Sequence, residues 1–461
     1  MTSDAAEPLS FDDAQILSLE SDAIKGHTGK LLVLEPANGT RLTVSQLRER
    51  VAERLSGLPR LRQRVDLPPD GGPVWVSAEE VDLDWHVAEP RPGQTLDEEG
   101  FRGLAGEILA ERLDHGRPLW RLDAIALEGN RTGLVGRIHH AMADGVSAIQ
   151  IAAGLLWDQG PTAAGRGMAP QRPPGGGTAS PSGGATSGRP VSGAPGSAGR
   201  FEAERPGGPL HKERPLLVRL PGALRRELRP GADTPLDEHI GSAREIAWTV
   251  FPLERLKGIG HATGEGITVN DVVLAAVAGG LRRWLEGHGS PPASLRVQIP
   301  VCLHLRDGDG EIGNKDSFLN VDLPLSEPDP LERLRSINAE TTERKLDHDA
   351  DTLYDFFHAL GRFGPLYRGI TRVISGPREF ALSVSNVPGP RERPLICGHE
   401  VREFCSFAEP ADRHALRVAV ISLGGDLAFG LCSDPEAIGE LNRLADSLED
   451  SVAELEAASV V

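Results

Sequence analysis

Two periods of apolar positions run along the chain. In "TVSQLRERVAERLSGLP" (43–59), Val44, Leu47, Val51 and Leu55 return every three or four residues. That is the repeat of one helix face, and Thr43 stands where a capping hydroxyl belongs. "LDEEGFRGLAGEILAERLDHG" (96–116) carries the same repeat and predicts a helix ending at Gly116. Aliphatic runs of strand length occur at "GKLLVLEP" (29–36), "LWRLDAIAL" (119–127) and "GLVGRIHH" (133–140), the last two paired around "EGNRTG". The helical period resumes in "DGVSAIQIAAGLLWD" (144–158), with Val146, Ile149, Ala153 and Leu156 on one face.

The second half repeats the mixture. "TVNDVVLAAVAGGLRRWLEGHG" (268–289) predicts a helix whose apolar side is Val269, Val272, Val273, Val277, Leu281, Trp284 and Leu285. "LRVQIPVCLHL" (295–305), "FLNVDLPL" (318–325) and "FALSVSNVPG" (380–389) read as strands. "HALRVAVISLGGDLAFGLCSD" (414–434) reads as a hairpin turning at Gly424-Gly425-Asp426. Between the halves, residues 159–208 are rich in Gly, Pro, Ser and Ala and hold almost nothing to bury, so a mobile linker is expected there. A chain of 461 residues exceeds one comfortable core. The expected organisation is an α/β domain over 1–158, the linker, and a second α/β domain over 209–461.

Composition narrows the function. A net charge of −18 disfavours nucleic acid and broad attraction to anionic lipid. The stretch "LVRLPGALRRELRP" (217–230) is a candidate local basic patch, read more readily as a solvated helix face. No apolar run reaches membrane-spanning length and the N-terminus is acidic, so a cytoplasmic protein is expected. Cys302, Cys397, Cys405 and Cys432 show no C-x-x-C or metal-ligand spacing, and free buried thiols without a metal site follow.

The chemistry concentrates in "HHAMADG". His139 and His140 close an apolar strand, and Asp144 and Gly145 open the next helix. Histidine takes and returns a proton near neutral pH, so one held at a strand end suits a general base. Asp144 is then free to orient the turn and Gly145 to leave room for a ligand. The competing view has two histidines filling a sheet edge with Asp144 capping a helix; the full H-H-x-x-x-D-G favours the catalytic one.

This motif resembles the active-site motif of the CoA-dependent acyltransferase superfamily, and the chain looks most like its bacterial wax ester synthase/acyl-CoA:diacylglycerol acyltransferases. "LSFDDAQILSLE" is similar to the family's opening segment and "PVWVSAEEVDLDWHV" (73–87) to its tryptophan-containing strand region. Pro118-Leu119-Trp120, Asn270-Asp271, "IGNKDSFLNVDLPL" and "SNVPGP" (385–390) match further blocks in order. The resemblance implies two chloramphenicol-acetyltransferase-like α/β sandwiches with the active site in a channel between them. It implies His140 as base, His139 as its support, a mainly structural Asp144, and Gly145 keeping the channel open. Asn270 is one candidate oxyanion donor, Asn270-Asp271 also suits a helix start, and Pro118, Leu119 and Trp120 suit packing beside the site. "SNVPGP" would shape the mouth of a channel.

The implied reaction moves a fatty acyl group from acyl-CoA, a substrate and not a cofactor, to diacylglycerol or a long-chain alcohol, making triacylglycerol or wax ester. Weak peripheral contact with a membrane or lipid droplet goes with such substrates. Two alternatives stay open: an acyltransferase for a secondary-metabolite or glycolipid alcohol, and a carrier-protein-dependent condensation-like module. The chain departs from the family at Pro300-Val301-Cys302-Leu303-His304 and at Ser422-Leu423, and in its long 159–208 segment. Those departures bear on acceptor and acyl preference.

Overall fold

The computed structural model describes residues 6–69, 71–160, 233–289, 291–302, 316–346 and 380–460. Nearly all of 159–208, the stretch 217–230, and Leu303-His304 lie outside the described residues. The first half runs β1 (Glu7–Pro8), α1 (Phe11–Ser18), β2 (His27–Leu34), α2 (Val44–Arg54), β3 (Gln63–Asp66), β4 (Val74–Ser77) and α3 (Leu83–His86). It continues with β5 (Val87–Ala88), β6 (Thr95–Leu96), α4 (Glu98–Ala110), β7 (Trp120–Leu127), β8 (Arg131–His139) and α5 (Gly145–Leu156). The second half runs β9 (Glu245–Pro252), α6 (Leu253–Thr263), α7 (Val269–Glu286), β10 (Leu295–Cys302), β11 (Asp316–Leu323) and α8 (Pro330–Leu346). It closes with β12 (Leu382–Val387), β13 (Leu395–Ile396), β14 (His399–Phe407), β15 (Leu416–Leu423), β16 (Asp426–Ser433) and α9 (Leu441–Ser459).

The strands form a seven-stranded sheet built on β13-β14-β2-β8-β7-β5, with β6 also on β7, and a six-stranded sheet ordered β11-β10-β12-β15-β16-β9. A small sheet, β1-β4-β3, pairs with neither, and its Val65 and Trp75 join the first core. This is the two-unit α/β architecture expected, with one difference. The sheets do not divide where the sequence does: β14, from the second half, pairs antiparallel with β2 of the first sheet. The swap is sound physically, because without β14 the edge of β2 would expose a row of unpaired backbone groups. Gly430 on β16 lets the second sheet press close behind it; a Cβ there would lie 2.1 Å from Ser406 O. Trp248 of β9 packs edge-on to Phe101 of α4 and Phe407 of β14, so the first core extends into the second sheet.

Local chemistry sets the helices. Thr43 and Gln46 form a capping box at α2, and Thr268 and Asp271 another at α7. Helix α7 is buried on more sides than its apolar stripe predicts, Leu274, Ala275 and Ala276 being fully covered too. Gly279 and Gly280 let α9 approach, since a Cβ on either would meet Ser451 Oγ at 2.1 Å or Leu448 Cδ2 at 2.6 Å. Helix α4 ends at Ala110, six residues before Gly116. There Glu111 turns extended with its N–H on Ile108 O, and Arg137 from β8 donates to the carbonyls of Ile108 (2.7 Å) and Glu111 (3.1 Å). A tertiary side chain thus does what a C-terminal glycine would do. The predicted hairpin forms as β15 and β16, its turn made by Gly424 and Gly425, both at positive φ. Among the described residues no helix is long and apolar enough to cross a membrane.

Candidate active site

The two histidines diverge because a strand alternates its side chains. His139 is the last residue of β8 and pairs with His27 on β2, while His140 N–H donates to Gly26 O at 2.8 Å. His139 turns to the side of the sheet covered by α4 and is fully buried. Its Nε2 lies 2.7 Å from Glu20 Oε1, and the same oxygen bonds His115 Nε2 at 3.0 Å. His139 Nδ1 accepts the Ala141 N–H at 3.1 Å, which places the ring proton on Nε2, toward Glu20. Burial opposes ionisation of Glu20, yet its interactions with His115 and His139 outweigh it and hold its pKa at about 2. Glu20 in turn raises that of His115.

His140 turns to the other side, at the seam between the sheets. Its surroundings are Lys30 on β2, Asp144 at the head of α5 and Arg417 on β15. Burial first, then the ammonium of Lys30 and the neighbouring His139, lowers its pKa to about 4, against the pull of Asp144. The imidazole is therefore neutral at physiological pH, the form a base requires.

The turn beyond is built from its own residues. Asp144 caps α5 by accepting the Ser147 N–H at 2.6 Å, and it is buried. Gly145 begins α5, and a Cβ added there would lie 3.3 Å from Val387 Cγ2 on β12. Its smallness is used where α5 meets the second sheet. Leu119 O accepts the His139 N–H at 2.9 Å, and Trp120 Nε1 donates to Leu61 O at 2.9 Å. Pro118-Leu119-Trp120 thus anchors the histidine strand from its buried neighbour.

Asp271 has a different setting. Its carboxylate accepts from Thr268 N–H (2.8 Å), Asn338 Nδ2 (3.0 Å) and Thr341 Oγ1 (2.6 Å), tying the start of α7 to α8. Those bonds lower its pKa in spite of burial. Asn270 is half-buried beside it. Within "SNVPGP", Gly389 N–H donates to Ser422 Oγ at 2.9 Å, and a Cβ at Gly389 would lie 1.9 Å from Ser422 O. The serine of the altered Ser422-Leu423 pair therefore fastens this turn.

Sequence reasoning passed over several groups. Glu20, His115, Gly26, Lys30 and Arg417 all stand at the histidines or their supports. Gly26 has φ +75°, and a Cβ on it would sit 2.2 Å from His139 Nε2. Its loop is held by Glu409, whose oxygens accept the Lys25 and Gly26 N–H groups, both at 2.7 Å, and pair with Arg244 at 2.9 Å. The one available signal was Lys30, a charge inside the apolar run "GKLLVLEP".

The chain matches the wax ester synthase/diacylglycerol acyltransferase catalytic domain over residues 9–273 and the WS/DGAT C-terminal domain over 312–456. It is 30% identical over 475 residues to a putative diacylglycerol O-acyltransferase of Mycobacterium bovis, covering 96% of this chain and 89% of that one. A probable diacylglycerol O-acyltransferase of Mycobacterium tuberculosis is 29% identical, with 94% and 91% covered. The wax ester synthase/diacylglycerol acyltransferase of Marinobacter aquaeolei superposes with TM-score 0.66 at 23% identity, covering 98% of this chain and all of that one. The first condensation domain of the CDA synthetase gives 0.60 at 15%, with 99% and 97% covered, a likeness of fold. This chain belongs to the wax ester synthase/diacylglycerol acyltransferase family and is an O-acyltransferase.

Proposed function

We propose that the protein transfers a fatty acyl group from acyl-CoA to the hydroxyl of diacylglycerol or a long-chain alcohol, with His140 as general base. The observation that carries this reading is the opposed setting of the two histidines. His139 is locked by Glu20 and the Ala141 N–H, and His140, one residue on, is neutral at the seam. His140 takes the acceptor's proton as its oxygen bonds to the thioester carbonyl carbon. The carbonyl electron pair moves to oxygen, returns as the C–S bond breaks, and the imidazolium gives its proton to the thiolate. No covalent enzyme intermediate is required. His139 supports the backbone that presents His140, and Asp144 fixes the start of α5.

The test is release of free CoA from palmitoyl-CoA with hexadecanol or dioleoylglycerol as acceptor. Release should need an acceptor, and His140→Ala should lower it by about 10²–10⁴. Equal release by the folded variant removes His140 as base. Weak contact with a lipid interface belongs to the same reading. Phe11, just after β1, and Leu67, just after β3, are 46% and 68% exposed near one end of the small sheet. Liposomes containing diacylglycerol should retain the wild type better than a Phe11→Ser/Leu67→Ser double variant.

A further inference from the structure

The buried ammonium of Lys30 is not used by the acyl-transfer chemistry. Lys30 is 7% exposed, and its Nζ donates to Ser406 Oγ at 2.6 Å and Thr28 Oγ1 at 3.2 Å. Both partners are neutral, and among the described residues no carboxylate pairs with it. Burial lowers its pKa only to about 8, so it remains charged at neutral pH.

Register places this charge. Lys30 stands opposite Gly136 on β8 and Thr28 opposite Ile138. Gly136, Ile138 and His140 alternate onto one face. The bond to Thr28 leans the ammonium toward the His140 end of the strand, while the shorter bond to Ser406 holds it on the β14 side. Its field reaches His140, where it ranks next to burial among the causes disfavouring the imidazolium.

A lone cation here opposes the base, because it penalises the proton His140 must accept. Buried charges persist where something pairs them. The phosphates of CoA are a full pantetheine arm from the thioester, whereas an acceptor can carry a negative charge beside its hydroxyl, and among the described residues no carboxylate supplies one. We propose that Lys30 holds an anionic group on the acceptor, so that the site acylates alcohols bearing a carboxylate or phosphate near the hydroxyl, in addition to neutral alcohols. The inference rests on the His140 reading. The bonds made and broken are the same: hydroxyl oxygen to carbonyl carbon, carbon from sulfur, and the proton through His140 to the thiolate. The anionic group is unchanged by the reaction.

The experiment uses the full chain, palmitoyl-CoA and two matched acceptor pairs: 3-hydroxyhexadecanoate against its methyl ester, and 1-oleoylglycerol 3-phosphate against 1-oleoylglycerol. In the wild type at least one anionic acceptor should exceed its neutral partner tenfold or more in kcat/KM, and which one identifies the group bound. Lys30→Met should bring that ratio near one, and Lys30→Arg should keep it above one. An apolar residue of similar length replacing a buried charge is compatible with folding, which a thermal melt checks. A wild-type ratio of one or below, or equal losses on both members of a pair in Lys30→Met, overturns the proposal while His140-dependent turnover leaves the base intact. Turnover that survives His140→Ala overturns the base instead. Calorimetric binding of 3-hydroxyhexadecanoate then reads Lys30 alone: tenfold weaker in Lys30→Met supports it, and equal affinity ends it.

Discussion

Glu20 Oε1 lies 2.7 Å from His139 Nε2, so a carboxylate just beyond the first helix fixes the ring beside the proposed base. It shares that oxygen with His115 and is itself buried. Such a carboxylate orients without taking a proton, since its pKa of about 2 keeps it ionised.

Glu20→Gln should therefore lower kcat more than it raises KM, by up to about 10²-fold if the ring shifts by an ångström. Stability should change with a defined sign. The folded pKa is depressed from 4.5 to about 2, so the charged group stabilises the fold above pH 4.5 and loses that contribution as pH falls toward 2. The full effect is roughly 3 kcal/mol. Urea titrations of wild type and variant should differ most at pH 7, by less at pH 3, and converge only as pH falls to about 2. A constant gap across that range would show that the charge of Glu20 is not what stabilises the fold.

Gly26→Ala tests the same ring from the opposite wall. The new methyl would lie 2.2 Å from His139 Nε2, and φ at +75° adds backbone strain of about 1–2 kcal/mol. The ring must move, because the loop carrying Gly26 is held by Glu409. Activity should fall by about 10²-fold in a protein that still melts cooperatively. Wild-type turnover in Gly26→Ala would mean that the place of His139 is unimportant.

These relationships show where the chain was legible. The strand-turn-helix holding His139 to Gly145 could be read because every signal is local: the apolar run, the Asp144 cap, then the 3.6-residue repeat. The capping box at Thr43 and the turn at Gly424-Gly425 were readable for the same reason. Glu20 was not, because it lies 95 residues from His115 and nothing in "LSFDDAQILSLE" distinguishes it from a solvated acid. Strand β14 could not be assigned to the first sheet from its own alternation, which says what is buried and not beside which strand. The end of α4 was misplaced because a glycine signal was read where Arg137, 27 positions beyond Ala110, supplies the cap.

The pH dependence of turnover follows from the groups around His140. Lys30 on β2, His139, and Arg417 on β15 disfavour its protonation, Asp144 on α5 favours it, and burial exceeds each. With the pKa lowered from 6.5 to about 4, the neutral base persists down to that pH and is lost below it. The kcat/KM profile for hexadecanol should stay flat from pH 7 to about 5 and fall with an acid limb near 4. An acid limb at 6.5 would show that burial and Lys30 do not act on His140 during turnover. Lys30→Met should move the limb upward, since it removes a positive neighbour.

The last relationship joins the halves of the chain at the histidines. Glu409 holds the Lys25-Gly26 backbone with both oxygens and pairs with Arg244, whose side chain is almost fully buried. Gly26 O then receives the His140 N–H. Glu409→Ala removes the loop's two acceptors and strands a buried guanidinium, a loss of about 3–5 kcal/mol. Glu409→Gln keeps one acceptor oxygen and should cost less. The pair separates support of the site from support of the fold. If the carboxylate mainly holds the loop opposite His140, Glu409→Gln will lose activity before it loses melting temperature. Activity and melting temperature falling in step across both variants would show that Glu409 serves only to neutralise Arg244.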